Sequence, residues 1–206
     1  MDSSIRFWNW YARRYAKQPI ADPTTYQKKL DLTQKYFNAS SRVLEFGCGT
    51  GSTAIIHAPK VGELIAIDSS REMIRIAEQR LADSGCSNVT FKCGTLFDLP
   101  LVEASFDVVL GLNVLHLIDD YAASIRRVHR LLKPGGVFAT STVCMGDGFT
   151  PWRYILPIGG ALGLIPKVKF ISVEQLERAF LDAGFALVDR IAPTKKHNAL
   201  FLIAKK

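Results

Sequence analysis

Cysteine is sparse in this chain, and what there is does not cluster. Cys48, Cys86, Cys93 and Cys144 form no C-x-x-C pair. They imply free thiols in a reducing cytoplasm rather than a disulfide frame or a zinc site. No set of neighbouring His, Cys, Asp or Glu suggests a metal. Long hydrophobic runs are missing too: the nearest to a membrane span, residues 154–165, is interrupted by Pro157 and three glycines, where roughly 20 apolar residues are needed. There is no low-complexity tract, no fixed-period repeat and no block of like charge. The net charge of +7 is dispersed over pairs such as Arg13-Arg14, Lys28-Lys29 and Arg126-Arg127, as solvated helix faces require. No nucleic-acid module is appended, so nucleic acid is not the expected partner.

What remains is a chain of 206 residues, 48% hydrophobic and 22% charged, suited to a single domain over residues 1–206. Its most informative stretch is R-V-L-E-F-G-C-G-T-G, residues 42–51. An apolar run carries an acidic residue, Glu45, and then glycines at 47, 49 and 51. A second apolar run, 63–67, ends on Asp68. The pattern predicts a strand, a tight glycine turn into a helix, and a second strand with a carboxylate at its tip. Glycine allows a sharp turn and close approach of a ligand. The helix start points free N–H groups at an anionic end, and a carboxylate can accept both hydroxyl protons of a ribose.

Two other nucleotide motifs are excluded at this point. Ser52 stands where a dinucleotide fingerprint has its third glycine, and no lysine follows Gly51 until Lys60, so there is no P-loop. The string instead resembles motif I of the class I S-adenosylmethionine-dependent methyltransferases. Two further stretches are similar to that family: G-T-L-F-D-L-P at 94–100 and L-L-K-P-G-G-V-F at 131–138. The resemblance covers about residue 42 to the end. It implies an α/β, Rossmann-like three-layer sandwich, with a seven-stranded, mostly parallel sheet, an antiparallel last strand, and a helical and loop cap.

The resemblance also implies a site. Gly47, Cys48, Gly49 and Gly51 would hold the methionine end of S-adenosylmethionine, with Glu45 near its cationic amino-acid end. Asp68 and Ser69 would take the ribose. Thr95 and Leu96 would meet the adenine edge, with Thr95 departing from the family's aspartate. Met73, Leu112 and Asn113 complete the expected cofactor set, with S-adenosylhomocysteine as product. Tyr11 and Tyr15 are the candidates to close over the cofactor from an amino-terminal helical lid, residues 1–40. His116, after the fourth strand, is the candidate general base. His57, His129 and His197 read as surface residues.

Between the recognisable elements, periodicity sets the remaining expectations. Apolar and aromatic residues at helical spacing over 5–17, with Arg13, Arg14 and Lys17, suit a lid and equally a peripheral membrane contact. Asp22-Pro23 reads as a helix start, with Tyr26, Leu30, Thr33 and Phe37 inward. Lys133-Pro134-Gly135-Gly136 reads as a turn into a fifth strand at 137–143. The irregular segment 145–171, with Trp152, Tyr154, Ile155, Leu156, Leu162 and Leu164, reads as a cap insertion shaping an apolar acceptor pocket. Ser172 to Gln175 reads as a capping box, followed by two closing strands with a hairpin at 192–198. The expected function is methyl transfer to a small, apolar or lipophilic acceptor. An RNA or protein acceptor, and a non-catalytic cofactor-binding protein, remain the alternatives.

Overall fold

The computed structural model describes residues 3–146, 165–193 and 199–206. Seven strands form one sheet: β1 (Arg42–Phe46), β2 (Glu63–Asp68), β3 (Val89–Cys93), β4 (Phe106–Leu112), β5 (Leu132–Val143), β6 (Ala186–Ile191) and β7 (Ala199–Lys205). Their order is β3-β2-β1-β4-β5-β7-β6. The first five pair in parallel, and β7 runs antiparallel to both β5 and β6. The expected Rossmann-like sandwich is therefore the observed fold. The strand order reverses between β1 and β4, and a parallel sheet leaves its ligand crevice at the carboxyl ends beside such a switch point.

Six described helices flank the sheet: α1 (Ser3–Tyr15), α2 (Pro23–Gln34), α3 (Ser52–His57), α4 (Arg71–Ser84), α5 (Tyr121–Leu131) and α6 (Val173–Asp182). Alternate strand residues point to opposite faces. Leu44, Ile65 and Val109 therefore pack with Ile125, Val128 and Phe180 of α5 and α6. Val43, Leu64 and Val108 pack on the other side with Ala54, Ile74 and Ala77 of α3 and α4. No described helix is long and apolar enough to cross a membrane.

Local sequence explains the helix boundaries. Asp22 caps α2 by accepting from the Thr25 N–H, with Pro23 in the first turn. Ser70 caps α4 by accepting from Met73, and Gly85 ends it in the left-handed region at φ 73°. Ser172 and Gln175 form the reciprocal capping box of α6. Each such cap contributes about 1 kcal/mol.

Two details differ from the sequence reading. The segment Lys133–Gly136 is not a separate turn: β5 begins at Leu132, which pairs with Phe106 across a register shift between Phe106 and Val108. Lys133 Nζ reaches Asp107 Oδ1 at 2.8 Å and holds that irregular start in the sheet. Leu132 thus follows directly on Leu131, the last residue before the strand. His57 is not a surface residue. It is completely buried, because the short α3 ends beneath α2, where the ring packs edge-on against Phe37 at 5.0 Å and meets Gln34 Nε2 at 3.3 Å. Most of the cap insertion, including Trp152, Tyr154, Ile155, Leu156, Leu162 and Leu164, lies outside the described residues, as does His197.

Candidate active site

The glycine turn after β1 leaves the sheet with all three glycines at positive φ: Gly47 at 65°, Gly49 at 54° and Gly51 at 75°. Their surroundings give them different tasks. A Cβ on Gly49 would meet only the Tyr15 ring, at 3.7 Å, so this glycine faces open space. A Cβ on Gly47 would collide with Val114, and one on Gly51 would lie 2.5 Å from Phe91 Cζ and 2.8 Å from Ala77 Cβ. Gly49 thus allows a ligand to approach, Gly51 allows α4 and β3 to close on the turn, and Gly47 makes room for the segment after β4.

Asp68, at the tip of β2, is fastened to this turn. Its Oδ2 accepts from the Gly49 N–H at 2.9 Å, and its Oδ1 accepts from the Ser70 N–H at 2.8 Å. Burial raises its pKa, and the two N–H donors oppose that rise. Each oxygen keeps a free lone pair for a hydroxyl donor.

Two cavities open on either side of Tyr15. The first, about 310 Å³, is bounded by Asp68, Ser69, Met73, Thr95, Leu96, Phe97 and Ile118, with Ile5, Trp8 and Tyr15 of α1 as its cover. Thr95 is partly occupied: its hydroxyl donates to Asp98 Oδ2 at 2.8 Å and accepts from the Phe97 N–H at 3.2 Å. The second, about 470 Å³, is bounded by Tyr26, Lys29 and Thr33 of α2, Glu45, Cys48, Thr53, His57 and Ser141. Tyr15, Gly47, Gly49, Leu112 and Asn113 border both. Asn113 sits at φ 56°, a left-handed conformation that asparagine tolerates, and its N–H donates to the Ser141 carbonyl at 2.7 Å.

The second cavity has unusual electrostatics. Glu45 is 3% exposed, and its Oε2 has no hydrogen-bond partner among the described residues. Burial, with a smaller contribution from Asp68, raises its pKa to about 8. Burial also lowers the pKa of Lys29 and raises those of Tyr15 and Tyr26. The Cys48 thiol is pushed well up by desolvation, so Cys48 is a small buried wall residue rather than a thiolate nucleophile.

The cover is latched at two points. Asn9 Oδ1 accepts from Ser70 Oγ at 2.8 Å and from the Glu72 N–H at 3.2 Å, docking α1 on the start of α4. Arg80 Nη2 donates to the Ala16 carbonyl at 2.7 Å, while Nη1 donates to Thr50 O, Thr50 Oγ1 and Ser52 Oγ. One guanidinium therefore ties the end of the cover to the glycine turn.

The structure gathers most of the expected residues around the two cavities and leaves three aside. Tyr11 stacks on Phe7 and accepts from Gln18 Nε2 at 2.6 Å, so Tyr15 is the tyrosine at the glycine turn. Gly51 packs against α4 and β3, as above. His116 borders neither cavity. Its short 3-10 turn, Leu115–Leu117, directs the ring into the protein, where it is 8% exposed, finds no partner for Nδ1 among the described residues and is held neutral by burial at a pKa of about 4. Sequence reasoning missed Lys29, Ser141, Asn9 and Arg80. The run Thr140-Ser141-Thr142, three hydroxyls buried in one strand, was the available signal for Ser141.

Comparison with known proteins agrees with this geometry. A family model described as a methyltransferase domain matches residues 37–159. The demethylmenaquinone methyltransferase of Geobacillus kaustophilus is 34% identical over 175 residues, covering 72% of this chain and 72% of the relative. The ubiquinone biosynthesis O-methyltransferase of Pseudomonas syringae is 29% identical over 204 residues, covering 93% of this chain and 85% of the relative. The uncharacterized methyltransferase YcgJ of Bacillus subtilis is 37% identical over 100 residues, 48% of this chain and 40% of that protein. A crystal structure of YcgJ superposes with a TM-score of 0.70 at 26% identity, over 81% of this chain and 71% of that one. The glycine turn, Asp68 and the matched family model together place this chain among the class I S-adenosylmethionine-dependent methyltransferases.

Proposed function

We propose that the chain methylates a small, apolar acceptor of quinol-like chemistry, using the two cavities for cofactor and acceptor. Asp68 carries the reading. Its two oxygens are fixed by backbone donors at the point where the glycine turn meets the first cavity, which is the arrangement a ribose diol requires. The residues present fit the cofactor. Gly49 leaves space at the turn, and the unpaired Glu45 Oε2 is an acceptor awaiting a donor such as an ammonium. Leu96, Met73 and Ile118 offer apolar walls for an adenine, and Thr95 Oγ1 keeps one acceptor lone pair. Bound S-adenosylmethionine supplies a methyl group already activated by its sulfonium.

The chain's own contribution is placement and dryness. Tyr15 covers the junction of the cavities and Trp8 the first of them, and Asn113 and Leu112 line the border where the two ligands would meet. Holding reactants in line accounts for several kcal/mol of barrier reduction. His116 is assigned no part, since it borders neither cavity. The quinol-like acceptor rests on the demethylmenaquinone and ubiquinone methyltransferases among the relatives.

Calorimetric titration with S-adenosylhomocysteine tests the cofactor site. Saturable binding by the parent, weakened about 100-fold in Asp68→Ala (about 3 kcal/mol for removing a charged hydrogen-bond partner), is the expected result. Absence of binding by the parent refutes the reading. Methyl transfer to a short-chain demethylmenaquinol analogue, read by mass, tests the acceptor class.

A further inference from the structure

The second cavity holds a cation for which the described residues supply no paired anion. Lys29, on α2, donates from Nζ to Ser141 Oγ at 2.9 Å, and Ser141 Oγ donates to Asn113 Oδ1 at 3.0 Å. The same nitrogen stands 5.9 Å from the centre of the Phe201 ring. Among the described residues no carboxylate forms an ion pair with it. Asp22 acts on it electrostatically, against a larger desolvation effect that lowers its pKa. Glu45, on the same cavity, is held protonated at neutral pH by burial. A half-buried ammonium with a serine and a ring for company still has protons to donate and charge to satisfy. The hydrogen-bond chain also has a direction. It runs from Lys29 to Asn113, one of the residues that border both cavities.

We propose that Lys29, oriented by Ser141, is an oxyanion-binding site in the second cavity and takes a negatively charged ligand oxygen directly on Nζ. This inference rests on the methyltransferase reading. Two ligand groups carry the required chemistry: the carboxylate at the cofactor's amino-acid end and the ionised hydroxyl of the acceptor. Either would place its charge against the ammonium while Ser141 holds Nζ in place. The site binds and orients, with no covalent step.

The test compares the parent with Lys29→Met and Lys29→Gln, two neutral variants of similar length. Calorimetry uses S-adenosylhomocysteine and 5′-methylthioadenosine, which shares the nucleoside and thioether but lacks the amino-acid group. A second titration adds 4-nitrophenol to the protein saturated with S-adenosylhomocysteine and reads the visible absorbance of the bound anion. Methylthioadenosine is expected to bind all three proteins within twofold, which reports an intact fold and nucleoside site. If the ligand is the cofactor's carboxylate, S-adenosylhomocysteine binds the variants at least tenfold more weakly. If it is an acceptor oxygen, S-adenosylhomocysteine binding is retained, and the variants lose at least tenfold in nitrophenolate affinity. Neutral variants that match the parent with both probes overturn the proposal. Failure of the parent to bind either adenosine compound would instead refute the methyltransferase reading itself.

Discussion

Glu45 offers a test that needs no knowledge of the acceptor. Its carboxyl is buried, has one oxygen without a partner among the described residues, and ionises at about 8 in the folded protein against an ordinary 4.5. Between those values the folded chain keeps a proton that the unfolded chain has released, so stability falls as pH rises. His57 and His116 act in the opposite sense. Burial lowers both to about 4 from 6.5, so stability is lost as pH falls through that lower window. The two effects oppose each other up to 6.5. From 6.5 to 8 the histidine effect fades but still offsets part of the carboxyl's, since an unfolded imidazole is half protonated at 6.5. One proton of difference is worth about 1.4 kcal/mol per pH unit, so that window carries up to about 2 kcal/mol. Urea denaturation followed by circular dichroism at pH 6.5 and pH 8 reads it. The ligand-free parent is expected to lose about 1 kcal/mol net of the two histidines, and Glu45→Gln to lose none, because the amide cannot ionise. Saturating S-adenosylhomocysteine, whose amino-acid end carries an ammonium, is expected to shrink the parent's loss. Parallel behaviour of parent and variant would refute the assignment of a protonated, buried Glu45.

The glycines of the turn separate stability from binding. Gly51→Ala forces a Cβ against Phe91 and Ala77 at positive φ, and is expected to cost about 2–4 kcal/mol of stability from backbone strain and overpacking, measured by urea unfolding. Gly49→Ala meets only Tyr15, so its stability cost is expected near 1 kcal/mol, with the larger effect a loss of S-adenosylhomocysteine affinity by calorimetry. Arg80→Met removes the tie between the Ala16 carbonyl and the glycine turn. Stopped-flow release of S-adenosylhomocysteine is expected to quicken about five- to tenfold, a change of roughly 1–1.4 kcal/mol, and an unchanged rate would show that the latch does not gate the cofactor.

Much of the fold was legible because its signals are local. The run of residues 42–51, the carboxylate closing β2 and the Asp22 and Ser172 caps each depend on neighbours a few residues away. Propensity and periodicity report such neighbours directly. Most of the residues expected from that stretch and its resemblance to a known family border the two cavities. The start of β5 was misread because a Lys-Pro-Gly-Gly turn signal was overridden by the pairing of Leu132 with Phe106.

What tertiary structure alone decided is the division of labour among residues that look alike in sequence. Three glycines at equal spacing acquire three different environments, because Val114, Phe91 and Tyr15 arrive from distant parts of the chain. Tyr15 and Tyr11 differ by one helical turn, yet only Tyr15 reaches the glycine turn. Histidines at 57 and 116 are buried by packing partners that their own segments do not announce. Lys29 finds Ser141 across 112 positions, a contact that no periodicity encodes. The sequence by itself therefore determined the elements, their order and the carboxylate at the tip of β2, since these rest on local backbone preference and hydrophobic pattern. The cavities, the buried Glu45 carboxyl and the Lys29 site were decided by how α1 and α2 fold over the sheet, since burial and charge pairing exist only between surfaces brought together.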